Sequence, residues 1–170
     1  MEAKDIRLGK AKLEDWKDLY INIWSRPESA RYMLWRVTEN EEEAKVRIEK
    51  SVAWQEAHEA YTIYEKKSNQ AIGFAGMTEI RPHVWEDTGI ALGPDYVHKG
   101  YGKQVLRLLM ERAASLGAAE FICSARSQNT ASKALIASCG FSYQYSEPKT
   151  DPRDGTPYEV EFYGFTFPQC

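Results

Sequence analysis

The run from Trp85 to Leu116 constrains this chain most. An alternating apolar stretch, Trp85 to Leu92, stops at Gly93-Pro94. A loop follows, Asp95-Tyr96-Val97-His98-Lys99-Gly100-Tyr101-Gly102, and Gly102 to Leu116 then carries Val105, Leu108, Leu109 and Ala113 at helical spacing, with Gly117 as a C-cap. The reading is strand, glycine loop, amphipathic helix. Glycines let a backbone approach a ligand closely. The first amides of the following helix lack internal partners, and with the helix dipole they form an anion site. Lys99 and Lys103 add positive charge beside it, and a pyrophosphate is the natural occupant. The spacing matches neither GxxxxGK[ST] nor GxGxxG, so taken alone it leaves phosphate binding and a plain tight turn both open.

Elsewhere the hydrophobic period assigns the remaining elements. Ile6 to Leu8 reads as a short strand and Lys12 to Trp24 as a helix with Leu13, Trp16, Leu19, Tyr20 and Ile23 on one face. Pro27 interrupts, and Glu28 to Leu34 restarts as a short helix. Thr38, with Glu41 three residues on, has the capping-box pattern for a helix from Glu39 to about His58. The period then changes to two. Strands are expected at Ala60 to Glu65, Ala71 to Ile80, Trp85 to Leu92, Glu120 to Ala125, Phe141 to Ser146 and Tyr158 to Phe167. Thr130 to Ser138 is a short helix, and Pro148 to Pro157 a polar loop. The order implies an α/β (α+β) chain with a mixed, mostly antiparallel sheet of about seven strands flanked by helices. With 170 residues and no linker or repeat, one domain is expected.

Charge narrows the ligand. Twenty-two basic residues against 25 acidic ones give a net charge of −3, which does not favour nucleic acid or an anionic membrane. The charge is uneven, however: Glu39 to Glu43 is acidic, while Lys99, Lys103, Arg107 and Arg112 form a basic edge suited to a small anion. Cys123, Cys139 and Cys170 form no CxxC pair and no cluster with histidine, so no metal is expected, and the first two read as core residues. No apolar leader or span of about 20 residues is visible. The default expectation is a soluble cytoplasmic protein, monomeric or a homodimer.

Three motifs carry a resemblance. Val97-His98-Lys99-Gly100-Tyr101-Gly102 resembles the [Gln/Arg]-x-x-Gly-x-[Gly/Ala] acyl-CoA loop of the GCN5-related N-acetyltransferase (GNAT) superfamily, with Val97 in the place of Gln or Arg. Asn129-Thr130-Ala131-Ser132, followed by Gly140-Phe141, resembles the N-x-x-S…G-F end of its RimJ/RimL-like branch. Asp87-x-Gly89-Ile90-x-Leu92 resembles that branch's E-x-G strand, with Asp in place of Glu. Together they span roughly Trp85 to Phe141. The resemblance implies the GNAT fold and acetyl-CoA as co-substrate. The implied cofactor contacts are Ala91, Leu92, Val97, His98, Lys99, Gly100, Tyr101, Gly102, Lys103, Asn129 and Ser132. A backbone N–H near Ala91 or Leu92 would face the acetyl oxygen, and Tyr32 and Trp35 would line an acceptor pocket.

Acetyl transfer to an amine needs a proton acceptor and a donor for the developing oxyanion. Asp87 and Glu79, with Glu86 behind them, are the candidate bases; a water chain or a solvated sheet carboxylate is the competing reading. The tyrosine that the superfamily often carries in the late helix falls here at Ile136, leaving Tyr143 or Tyr145 as possible replacements, while Ser132 could hydrogen-bond the pantetheine or the sulfur. Cys139 lacks a histidine partner and reads as core rather than nucleophile. The implied activity is transfer of the acetyl group to a primary amine, either a protein N-terminus or a small amine. The alternative is a non-catalytic acyl-CoA-binding sensor or partner-binding domain.

Overall fold

Residues 1–168 are described by a computed structural model; Cys170 lies outside the described residues. Seven strands form one sheet in the order β1-β2-β3-β4-β5-β7-β6. They are β1 (Ile6–Gly9), β2 (Ala60–Glu65), β3 (Ala71–Arg81), β4 (Val84–Leu92), β5 (Glu120–Arg126), β6 (Ser142–Thr150) and β7 (Pro157–Thr166). Every neighbouring pair is antiparallel except β4 with β5. The mixed, mostly antiparallel sheet expected from the sequence is therefore present.

The strands bury alternate residues on opposite faces, as a two-residue period requires. Ile63 and Ile72 enter a core with Val105, Leu106, Leu109 and Phe121, while their neighbours Tyr64 and Ala71 enter a second core with Leu19, Ile23, Trp24, Ala44 and Ile48. The first core is roofed by α4 (Tyr101–Ser115), whose Val105, Leu106, Leu108, Leu109 and Ala113 are buried, and by Ile136 of α5 (Thr130–Ser138). The second is covered by the early helical segments and by α3 (Glu41–Ala57). Removing a side chain such as Leu109 from such a core costs about 2–5 kcal/mol.

Several boundaries differ from the sequence reading. The helix expected over Lys12 to Trp24 is a 3₁₀ turn (Leu13–Asp15), a short α1 (Trp16–Leu19) and a wide π turn (Tyr20–Trp24). The segment after Pro27 is helical only over α2 (Pro27–Ala30). The cap of α3 is Asn40, whose side chain accepts from the Glu43 N–H, while Thr38 is buried and accepts from Arg47 instead. Strand β6 runs through Pro148 to Thr150, which an edge strand permits because the missing N–H can face solvent. The loop between β6 and β7 is correspondingly shorter than Pro148 to Pro157.

Candidate active site

Strands β4 and β5 begin as a parallel pair, Val84 opposite Glu120, Trp85 opposite Phe121 and Glu86 opposite Ile122. Beyond Glu86 the pairing stops, and a cleft of about 1210 Å³ opens along the separated strands. Two features of the sequence produce the parting. A bulge in β4 sets Thr88 and Gly89 against Gly76 of β3, between the pairs Ala75–Ile90 and Met77–Asp87. Gly89 sits there at φ +110°, a conformation that disfavours any side chain.

The parted strand leaves backbone donors free. The Gly93 N–H donates to the Ile72 carbonyl at 2.9 Å. By the alternation of an antiparallel ladder, Ala91 also turns its N–H toward β3, and Leu92 turns its own away, toward the cleft. Of the two amides implied by the resemblance, that of Leu92 is the one facing the cleft.

At one end of the cleft stands the N-terminus of α4. Gly100 holds its N-cap position in the left-handed conformation at φ +77° and has no side chain to offer the helix amides; His98 is also left-handed at φ +60°. Val97, His98, Gly100, Gly102 and Lys103 line the cleft with Ala91 and Leu92 of β4, Ser132 of α5 and Asn129, the N-cap of α5. The uncapped first turn of a 15-residue helix provides free N–H groups and a favourable dipole for an anion. These residues fit a pyrophosphate at α4 and an extended arm between α4 and α5. Lys99 and Tyr101, expected among the contacts, do not line the cleft. The Lys99 ammonium lies over the rings of Tyr96 and Tyr101, and the Tyr101 hydroxyl donates to Glu65 at 2.8 Å. Arg112, part of the basic edge in sequence, is bound through two N–H groups to Glu59 and points elsewhere.

Asp87 lies at the vertex of the fork. Its Oδ1 accepts from the Ser124 N–H at 3.1 Å and its Oδ2 from the Gly89 N–H at 3.2 Å. Burial raises its pKa to about 7; the Ser124 amide opposes the shift and the neighbouring Glu86 adds to it. Glu86 lines the same cleft and is also raised, by partial burial. Glu79, the other expected base, is exposed outside the cleft, where its carboxylate accepts from the His83 N–H at 2.8 Å and closes the β3–β4 turn. Cys123 is buried beside Asp87, and burial pushes its thiol well above the usual range, which disfavours a thiolate nucleophile. Ile136 lines the cleft at the position where the resemblance implies a tyrosine, while Tyr143 and Tyr145 are exposed on the edge strand and are absent from its wall.

Tyr32 and Trp35 line the cleft, with Met33 and Phe74. The sequence reading missed Ser124, Arg126 and Tyr158. Arg126 stacks on the Tyr158 ring at 3.8 Å and bonds to Asp151 at 2.8 Å. Asp151 also pairs with Arg153, and the two guanidinium groups hold its carboxyl well below the usual carboxylate range. Arg153 in turn donates to the carbonyl of Trp35 at 3.2 Å, tying the β6–β7 connection to the segment that carries Tyr32 and Trp35. The one available signal was the polar Ser124 and Arg126 at alternate positions of an otherwise apolar strand. Among the described residues no cluster of His, Cys, Asp or Glu could hold a metal ion, and no helix is long and apolar enough to cross a membrane.

Comparison with known proteins agrees with this geometry. The family model described as "Acetyltransferase (GNAT) domain" matches residues 5–142. No curated protein matches the sequence. Solved structures of the same fold include a GNAT-family acetyltransferase from Bacillus anthracis, 17% identical, covering 98% of this chain and 97% of its own, with a TM-score of 0.84. The Microcin C7 self immunity acetyltransferase MccE, solved with acetyl-CoA and AMP, is 21% identical, covers 97% of this chain and 94% of its own, and has a TM-score of 0.82. The RimL ribosomal L7/L12 alpha-N-protein acetyltransferase, solved with coenzyme A, is 20% identical, covers 96% and 95%, and has a TM-score of 0.79. Since the family model spans most of the chain, and the parted strands and the uncapped helix lie within the matched region, the chain belongs to the acetyltransferase (GNAT) domain family.

Proposed function

We propose that the chain transfers the acetyl group of acetyl-CoA directly to a primary amine, either a protein N-terminus or a small amine. The observation that carries this reading is the fork between β4 and β5. It sets a carboxylate with a pKa near neutrality, Asp87, and an inward N–H, Leu92, along one cleft that ends at the helix α4 anion site.

In this reading the first amides of α4, with Lys103, hold the pyrophosphate, and Asn129 and Ser132 flank the arm. Asn129 already caps α5 through its side-chain oxygen, which accepts from the Ser132 N–H at 3.1 Å, so its amide NH₂ is the group left for a ligand. The Leu92 N–H donates to the acetyl oxygen as charge develops there. Asp87 accepts the proton of the attacking amine, directly or through one water, as the C–N bond forms; the C–S bond then breaks, and the coenzyme A thiolate leaves and takes up a proton to depart as the thiol. Tyr32 and Trp35 hold the acceptor opposite. A nucleophilic thiol is not needed, because both substrates meet in one cleft and proximity lowers the barrier.

The test is time-resolved release of coenzyme A thiol from acetyl-CoA with a panel of primary amines. Amine-dependent release is expected. Tight acetyl-CoA binding without release on any amine would favour the sensor reading.

A further inference from the structure

Beside the cleft lies a second cavity of about 420 Å³ between α3 and the sheet. Both cavities have Phe74, Thr88 and Gly89 in their walls, so they adjoin at the β4 bulge. The walls of the second are aromatic, with Trp24, Trp54 and Tyr61. Its charged lining is Arg47 and Lys50, with no carboxylate among the described residues.

Arg47 is unusual for a half-buried cation. Its guanidinium carbon lies 4.7 Å from the ring centroid of Trp24 and 4.7 Å from that of Trp35, which itself lines the cleft. One of its five N–H donors is used, by the Thr38 hydroxyl at 2.9 Å, and among the described residues no carboxylate is paired with it. The nearby acid, Glu43, is occupied by the Glu39 N–H at 2.8 Å. Loss of water lowers the Arg47 pKa to about 10, against the pull of Glu43. A guanidinium without a counter-ion in partial burial is costly, and its contacts with two indoles offset only part of that cost. An oxyanion entering the cavity would meet a fork of free donors matched to carboxylate or phosphate geometry.

We propose that Arg47, supported by the exposed Lys50, binds an anionic group of the acceptor, a carboxylate or a phosphate, while the acceptor's amine reaches past Thr88 and Gly89 into the cleft. The substrate class is thus an acidic amine. This rests on the acetyl-transfer reading and adds an acceptor class to it.

The test is calorimetric titration of the coenzyme A-loaded protein with matched probes. These are L-phenylalanine against phenethylamine, 6-aminohexanoate against hexylamine, and O-phosphoethanolamine against ethanolamine. The first two pairs read a carboxylate and the third a phosphate. The expected result is a preference for the anionic member on the order of tenfold in at least one pair. Arg47→Met should abolish it. Arg47→Lys, which keeps the charge but loses the fork, should retain part of it, and coenzyme A affinity should be unchanged in both. Should Arg47→Met fail to fold, Lys50→Met and a rise in salt should each reduce the preference of the wild type. Equal affinity within every pair, or a preference that survives Arg47→Met, would overturn the proposal. The two readings fail separately. Amine-dependent thiol release with no anionic preference contradicts the anion site alone. Anionic preference without thiol release on any amine contradicts acetyl transfer alone.

Discussion

The Asp87 carboxylate accepts the Ser124 N–H at 3.1 Å just beyond the point where the backbones of β4 and β5 cease to pair at Glu86 and Ile122. A side chain thus replaces the carbonyl that the next rung of the ladder would have supplied. It satisfies a backbone donor at the vertex of the fork, and burial there holds the same carboxyl at a pKa of about 7. The structural role and the proposed chemical role fall on one residue, and only the chemical one depends on its proton.

The separation comes from pH. If Asp87 is the base, kcat/KM should rise with pH through about 7 as its proton is lost. Asp87→Asn retains an oxygen for the Ser124 N–H, but it should lose that limb and on the order of 10²–10⁴ in rate. An unchanged profile in the variant would assign Asp87 to structure only.

The same shift makes a stability prediction of opposite sign to that of most carboxylates. Asp87 has a folded pKa, about 7, above its unfolded value of 3.8. The folded state therefore binds more protons between those values, and its stability falls as pH rises through that window. In thermal melts from pH 4 to 8, wild type should lose stability relative to Asp87→Asn, with the difference levelling off above pH 7.

The anion site is tested at Gly102. A Cβ there would meet the tip of the Leu135 side chain at 3.1 Å, a neighbour able to give way, so substitution should leave the fold intact. Gly102→Glu places bulk and negative charge at the helix α4 N-terminus. Acetyl-CoA at 100 times its dissociation constant should stabilise wild type by about 2.7 kcal/mol and the variant not at all. Retained binding would show that the pyrophosphate lies elsewhere.

Val97 stands in the position that the superfamily fills with Gln or Arg, and it lines the cleft 40% exposed. Val97→Arg adds a side-chain donor to backbone contacts already in place. It should lower the Kd for acetyl-CoA severalfold, with a steeper salt dependence. No change would mean that backbone amides and Lys103 carry the whole interaction.

The strand–loop–helix unit was legible in the sequence because its determinants are local: alternation in β4, a break at Gly93-Pro94, and an apolar stripe in α4. Gly100, Gly102, Asn129 and Ser132, which line the cleft, belong to short motifs and could be picked out from the sequence. Residues brought together by topology were less visible. Glu79 and Asp87 are both strand carboxylates, and only the end of the β4–β5 pairing distinguishes a turn cap from a buried vertex. Lys99 and Tyr101 sit inside the motif, yet neighbouring aromatic rings and Glu65 hold their side chains away from the cleft. Arg126 enters through Asp151 and Arg153 from the β6–β7 connection, a contact that no local pattern encodes. The early helix is unbroken from Leu13 to Trp24, but its passage from 3₁₀ to α to π geometry leaves no mark in the apolar spacing.

The most direct test of the central claim is stopped-assay measurement of coenzyme A thiol release with the amine panel, using wild type and Gly102→Glu side by side. Release is expected to require both acetyl-CoA and an amine, with stoichiometric acetylated amine formed, and to be absent from the variant. Absence of amine-dependent release from a wild-type protein that acetyl-CoA stabilises would contradict it.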